Sequence, residues 1–102
     1  MDALCALAEP RRRRVVEILA HRGKLSASQI SDEFDVTPQA ISQHLRVLRE
    51  ANVLRMERSA QRRLYTINPQ SINQIQAWAA EMAQLWTRRL DRLDRALKEE
   101  DA

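Results

Sequence analysis

Gln39, Ser42, Gln43 and Arg46 recur three and four residues apart, the spacing of one helix face, and their side chains suit the reading of bases. An amide can pair bidentately with adenine, an arginine with guanine or a phosphate, and a hydroxyl with either kind of base edge. His44 lies in the same stretch and can donate to a base or a phosphate. No carboxylate interrupts this run before Glu50, so nothing on it repels a polyanion. A merely solvated helix face would more often carry Glu and Lys. Further on, Arg58, Arg62 and Arg63 bring a second cluster of cations. From Arg46 to Arg63 there are six Arg (46, 49, 55, 58, 62, 63) against Glu50 and Glu57, an excess that suits a phosphate backbone. A solvated basic surface has the same composition, so charge alone does not decide between the two.

The elements that must position these residues are legible in the pattern around them. Thr37 is placed to cap a helix, Pro38 to occupy its first position, and Val36 to staple onto Ile41. Ile41, Leu45 and Leu48 then recur at i, i+4 and i+7 and form its core face, which turns Gln39, Ser42, Gln43 and Arg46 outward. Upstream, Ser26-Ala27-Ser28-Gln29 matches a capping box with Leu25 as its staple, and Ile30 and Phe34 continue a buried side. Two short helices joined by a turn at Asp35-Val36 make a helix-turn-helix over residues 26–51. Val53–Arg58 and Arg62–Ile67 alternate as strands around a turn at Ser59-Ala60-Gln61, which predicts a basic hairpin over residues 53–67.

Two more helices are expected before the motif. One runs from Asp2 to Ala8, with Leu4, Leu7 and Ala8 on one side. The other opens at Pro10, buries Val15, Ile18 and Leu19, and stops at Gly23. Asn68-Pro69 ends the hairpin, and a last helix runs to about Glu99. Along it Ile72, Ile75, Ala79, Met82, Trp86, Leu90, Leu93 and Leu97 fall three or four apart, flanked by Trp78 and Leu85. At ~1.5 Å per residue that helix is about 40 Å long, more than one small core can cover. The pattern predicts a homodimer, with Ile75, Ala79, Met82, Trp86, Leu90 and Leu93 at the interface. The expected architecture is mainly α: a winged helix-turn-helix with a two-stranded β wing and a long C-terminal dimerisation helix, all in a single domain over residues 1–102. Residues 1–22 and 69–99 are its dimerisation helices.

The run Leu25-Ser26-x-x-x-Ile30, then Phe34 to Leu54 unbroken, then Arg62-Arg63-Leu64-Tyr65, resembles the bacterial ArsR/SmtB transcriptional regulators. Glu9-Pro10-x-Arg12-Arg13 is similar to that family's early helix motif. The ending Trp78 to Leu93 is similar to a branch without metal sites that includes autorepressor-like members. The resemblance implies a homodimeric winged-helix repressor on an imperfect inverted repeat. It places DNA contacts at Gln39, Ser42, Gln43, His44, Arg46, Arg58, Arg62 and Arg63, and dimer contacts on the first and last helices, which adds Leu4 and Leu7 to the interface. Metal-sensing members carry paired cysteines where this chain has Ser26 to Gln29, or His and carboxylate ligands on the last helix, and no His follows His44 here. Cys5, His21 and His44 make no ligand cluster, so no metal or cofactor is expected.

With one cysteine no internal disulfide can form, and Cys5 between Leu4 and Leu7 is expected as a small buried hydrophobe rather than a redox thiol. Trp78 and Trp86 are expected as interface anchors rather than the walls of a ligand pocket. Arg11–Arg14 read as a solvated turn. No apolar run reaches membrane-spanning length, and the early charges leave no signal-peptide core, which sets the expectation at a cytoplasmic protein. Without a phosphate loop or a nucleophile–base pair, the chain does not read as an enzyme. The alternative is a winged-helix module for protein–protein assembly, which would carry apolar or acidic residues where this chain carries Gln, Ser and Arg. The expected partners are double-stranded DNA and a second copy of the chain; no effector is named by the sequence.

Overall fold

The computed structural model describes residues 1–100. Its elements are α1 (Ala3–Ala8), α2 (Pro10–Arg22), β1 (Leu25–Ser26), α3 (Ala27–Ser31), α4 (Pro38–Glu50), β2 (Leu54–Ser59), β3 (Arg62–Ile67) and α5 (Pro69–Glu100). The chain divides into two compact units, Met1–Ile72 and the segment from Asn73 onward.

Helix boundaries in the first unit follow from side chains that satisfy backbone groups. Asp2 accepts from the Cys5 N–H at 2.8 Å and Thr37 from the Ala40 N–H at 3.2 Å. Ser26 and Gln29 close a reciprocal capping box, Ser26 Oγ accepting from the Gln29 N–H and Gln29 Oε1 from the Ser26 N–H. Gly23 ends α2 at φ +87°, a conformation that strains any residue with a Cβ. Asn52 reverses the chain after α4 at φ +62°. Asn68 holds that reversal, its Nδ2 donating to the Asn52 carbonyl at 2.9 Å and its N–H to the Val53 carbonyl at 2.8 Å.

The core gathers Ala6, Val15, Ile18, Leu19, Leu25, Ile30, Ile41, Leu45, Leu48, Val53, Leu54 and Tyr65. Ile41, Leu45 and Leu48 are at most 1% exposed, so α4 presents its whole apolar face to this core. At roughly 1.5–3 kcal/mol per fully buried aliphatic side chain, that face is what fixes α4 in place.

Four expectations change here. The hairpin belongs to a three-stranded antiparallel sheet in the order β1-β3-β2, with Leu25 opposite Tyr65 and Ser26 opposite Leu64. A two-residue strand is too short to show a period of two in sequence, which is why only the hairpin was visible. Second, α3 stops at Ser31, and Phe34 packs half-buried from the turn that follows rather than from the helix. Third, the hairpin turn is only Ala60 and Gln61, because Ser59 still pairs with Arg62; Ala60 takes φ +56°, strained for an alanine. Fourth, Cys5 is exposed rather than buried. The inward side of α1 is Ala3, Ala6 and Leu7, at i, i+3 and i+4, which leaves Leu4, Cys5 and Ala8 outside.

In the second unit α5 is amphipathic, with an apolar stripe open to solvent. Trp78 is 52% exposed, Trp86 61%, Leu93 57% and Leu97 53%; Met82, Leu85 and Leu90 are exposed as well. Asp94 and Lys98, one turn apart on α5, pair at 3.2 Å.

Candidate nucleic-acid interface

Between α4 and β3 lies an open groove of about 470 Å³, lined by Ala27, Ser42, Gln43, Arg46, Arg49, Glu50, Arg63 and Tyr65. The α4 wall follows from the helix period. Once Ile41, Leu45 and Leu48 are buried, Ser42, Arg46 and Arg49, each one position on, stand in an exposed row about 100° round the helix from that face. Gln39 and Gln43 flank that row and are exposed. The opposite wall follows from the strand period, which gives Tyr65 and Arg63 the same face of β3. Tyr65 roots that face in the core and Arg63 continues it toward the tip.

The hairpin register sorts the wing arginines. Arg58 and Arg63 are directly opposite each other, on the face that carries Met56 and Tyr65. Like charges across a strand pair are destabilising. Among the described residues neither Arg58 nor Arg63 has an acidic partner, nor does Arg49. Arg62 takes the other face, with Leu64 and Glu57, and donates from Nη2 to Gln29 Oε1 at 3.3 Å. The three arginines expected on one hairpin therefore serve two sides of it. Lys24 and Glu57 pair at 2.5 Å and fasten the wing to the residue before β1.

Two cations in and beside the groove differ in state. Arg46 is held by Glu50 one turn on, Nε to Oε1 3.0 Å, an exposed i,i+4 pair of small energetic weight. Arg49 is unpaired. Sequence reasoning counted Arg49 in the basic stripe and Tyr65 in the family resemblance but placed neither among the DNA contacts. The signal for Arg49 was its spacing, three residues after Arg46 and seven after Ser42. Tyr65 had none, since a buried aromatic on a strand looks like core whether or not its edge lines a groove.

Gln39, His44, Arg58 and Arg62 are expected contacts that do not line this groove, and His44 stands apart from the others. It sits half-buried with Nδ1 3.9 Å from Glu9 Oε2, facing the corner between α1 and α2. Glu9 caps α2 through the Arg12 N–H at 2.9 Å, and Arg12 turns back to donate from Nε to the Ala6 carbonyl at 2.6 Å. Burial pushes the Glu9 carboxyl up, but the Arg12 backbone N–H and the charge of His44 outweigh it and hold the group below the ordinary carboxylate range. Arg12 thus belongs to this corner rather than to a solvated turn.

Of the residues expected at a dimer interface, Leu4, Met82, Trp86, Leu90 and Leu93 are exposed hydrophobics and Ala79 is exposed; Leu7 and Ile75 are half-buried. No group of three or more His, Cys, Asp or Glu side chains that could hold a metal is formed among the described residues. No described helix is long and apolar enough to cross a membrane.

Residues 7–57 match the profile of a helix-turn-helix domain. The chain is 35% identical to an HTH-type transcriptional regulator of Mycobacterium tuberculosis over 85 residues, 83% of this chain and 76% of that one. It is 32% identical to the transcriptional repressor SdpR of Bacillus subtilis over 63 residues, 62% of this chain and 69% of that one. A crystal structure of an ArsR family transcriptional regulator superposes with a TM-score of 0.75 at 28% identity, covering 82% of this chain and 86% of the other.

Proposed function

The chain belongs to the ArsR family of winged-helix transcriptional regulators, and from that premise we propose that it is a homodimeric, metal-independent repressor that reads an inverted-repeat operator in the cytoplasm. The observation that carries the reading is the groove between α4 and the wing, with Ser42, Gln43, Arg46 and Arg49 on one wall and Arg63 on the other. An α-helix with such a face fits the major groove, where amides and guanidinium groups tell base pairs apart. The unpaired cations Arg49, Arg58 and Arg63 are what a phosphate backbone would complete, and the opposed Arg58 and Arg63 gain most from an anion between them. Gln39, Ser42, Gln43 and Arg46 are assigned to base edges and flanking phosphates, and Arg58, Arg62 and Arg63 to the backbone. His44 is assigned to the α1–α2 corner.

Dimerisation is supported by the α5 stripe. Seven large apolar side chains exposed on one helix, two of them tryptophan, exceed what a soluble monomer leaves bare. A second copy of the chain is the partner that brings a matching stripe. A twofold axis would then present two α4 helices to half-sites about one helical turn apart, ~34 Å. The SdpR relative is a repressor by name, and the repressor assignment rests on that likeness.

Selection of bound fragments from random duplex DNA by the purified protein tests the proposal. The enriched sequences should share an inverted repeat with half-sites ten to eleven base pairs apart, or a multiple of that spacing. Recovery of unrelated sequences, with equal affinity for all of them, overturns sequence-specific reading and favours an assembly role.

A further inference from the structure

We infer that Gln29, which lies outside the reading helix, positions the wing arginine Arg62 for the DNA backbone by sharing one carbonyl between that guanidinium and the cap of α3. The inference rests on the reading that the wing touches phosphate.

Gln29 Oε1 accepts from the Ser26 N–H at 2.9 Å and from Arg62 Nη2 at 3.3 Å. Both partners can only donate, so the atom between them is the oxygen, and its two lone pairs are both used. The Gln29 side chain is not free to wander, because its carbonyl is held by the backbone N–H of Ser26, a donor that no substitution of the Ser26 side chain by another non-proline residue removes. Ser26 in turn is 3% exposed and lies opposite Leu64 in the β1–β3 ladder, two residues along from Arg62. The cap is therefore built on buried ground next to the strand that carries the arginine.

The chemistry of the tie matters as much as its position. The other cation held against the wing, Lys24, is neutralised by the Glu57 carboxylate. Arg62 is held by a neutral amide instead, which orients the guanidinium and leaves its charge and its remaining donors for an anion. A long side chain on a hairpin loses rotamer freedom when it is fixed on a phosphate, and a residue already tethered loses less. Gln29 is thus a positioning residue: it acts on DNA through Arg62.

The test is a double-mutant cycle read by binding to a selected operator duplex across a salt series, with thermal melting alongside. Arg62→Ala should weaken binding and lower the slope of log K against log salt by about 0.9 per lost phosphate contact. Gln29→Ala should weaken binding by about 3- to 10-fold, the worth of one hydrogen bond. In Gln29→Ala/Arg62→Ala the loss should be no greater than in Arg62→Ala alone, because Gln29 has nothing left to position. Ser26→Ala removes the other half of the cap and serves as the control. It should lower melting and add to Arg62→Ala rather than merge with it. Wild-type affinity in Gln29→Ala, or a loss that adds fully to that of Arg62→Ala, overturns the inference while leaving the wing reading intact. Wild-type affinity and slope in Arg62→Ala overturn both.

Discussion

Helices α4 and α5 are built on the same kind of sequence pattern and end in opposite states. In α4 the apolar residues Ile41, Leu45 and Leu48 recur every three or four positions and are at most 1% exposed. In α5 the same recurrence from Met82 to Leu97 leaves side chains 38% to 61% exposed. Periodicity therefore says that a face is apolar and not what covers it. For α4 the cover is the chain's own core, so its polar face is free to meet a ligand. For α5 the free face is the apolar one, and what it can meet is another apolar face. On the proposed reading, specificity lies on α4 and assembly on α5, so the polar face of α4 can be altered without touching the apolar stripe of α5.

The largest expected effect is on assembly. Leu93→Glu places a charge on the α5 stripe, and in a symmetric dimer it does so twice. Burying an unpaired carboxylate costs several kcal/mol, enough to turn a dimer into monomers at micromolar concentration. Sedimentation should show the monomer, and operator binding should fall with it because two half-sites can no longer be read together. A wild-type protein that itself sediments as a monomer at that concentration would remove the contrast between the helices at its root.

Next comes the pair that separates the two kinds of burial. Leu45→Ala should destabilise the fold by about 2–5 kcal/mol, as other core truncations of this kind do, and by the same amount at every protein concentration. Leu93→Ala should lower melting through mass action on the dimer, so its effect should be absent where neither protein dimerises and grow toward a plateau as protein concentration rises. Melting curves over a hundredfold range of concentration check this. Equal, concentration-independent losses in the two variants would mean that Leu93 is core and not interface.

The contrast also explains what the sequence disclosed and what it did not. Caps are local chemistry, so Thr37, Pro38, Gly23 and the Ser26–Gln29 box could be read directly, and so could the inward face of α4. The strand β1 could not, since its two residues make sense only opposite Tyr65 and Leu64. The candidate interface was legible on α4 because a helix face is a spacing rule. The wing was harder: the register that puts Arg58 opposite Arg63 and sends Arg62 to the other side depends on where the turn falls, and Ser59 belongs to the strand rather than to the turn. The proximity of His44 to Glu9 was not legible, because the two are 35 positions apart in sequence and no local pattern announces the contact. Cys5 was read from its neighbours Leu4 and Leu7, whereas the short α1 buries Ala3, Ala6 and Leu7 instead.

Within α4 the exposed face should split in turn. Gln43→Ala should weaken binding to the selected operator by about 1–3 kcal/mol and leave binding to a scrambled duplex nearly unchanged, as expected for a base contact. Arg63→Ala, on the opposite wall of the groove, should weaken both duplexes together. If Gln43→Ala weakens both duplexes equally, the face of α4 holds the backbone and does not read bases.

The smallest effect concerns the back of the same helix. Glu9 holds α4 to the α1–α2 corner through His44 and caps α2, and its carboxyl lies below the ordinary carboxylate range. A group whose pKa is lowered on folding stabilises the fold when pH is above its unfolded value, and that contribution is lost as pH falls through the folded one. Glu9→Gln should therefore cost under about 1 kcal/mol near neutral pH, the scale of a single helix cap. Its melting curve should converge on that of the wild type only as pH falls through the lowered folded pKa of Glu9, where the wild-type carboxylate is protonated too. Thermal melting from neutral pH down into the acid range measures both. A difference that does not narrow at all as pH falls would mean the shape of the side chain matters and its charge does not. Operator binding, measured on the same protein at neutral pH, should stay close to wild type, because the corner lies behind the reading face. A loss as large as that of Gln43→Ala would place His44 back among the DNA contacts and make the corner part of the interface.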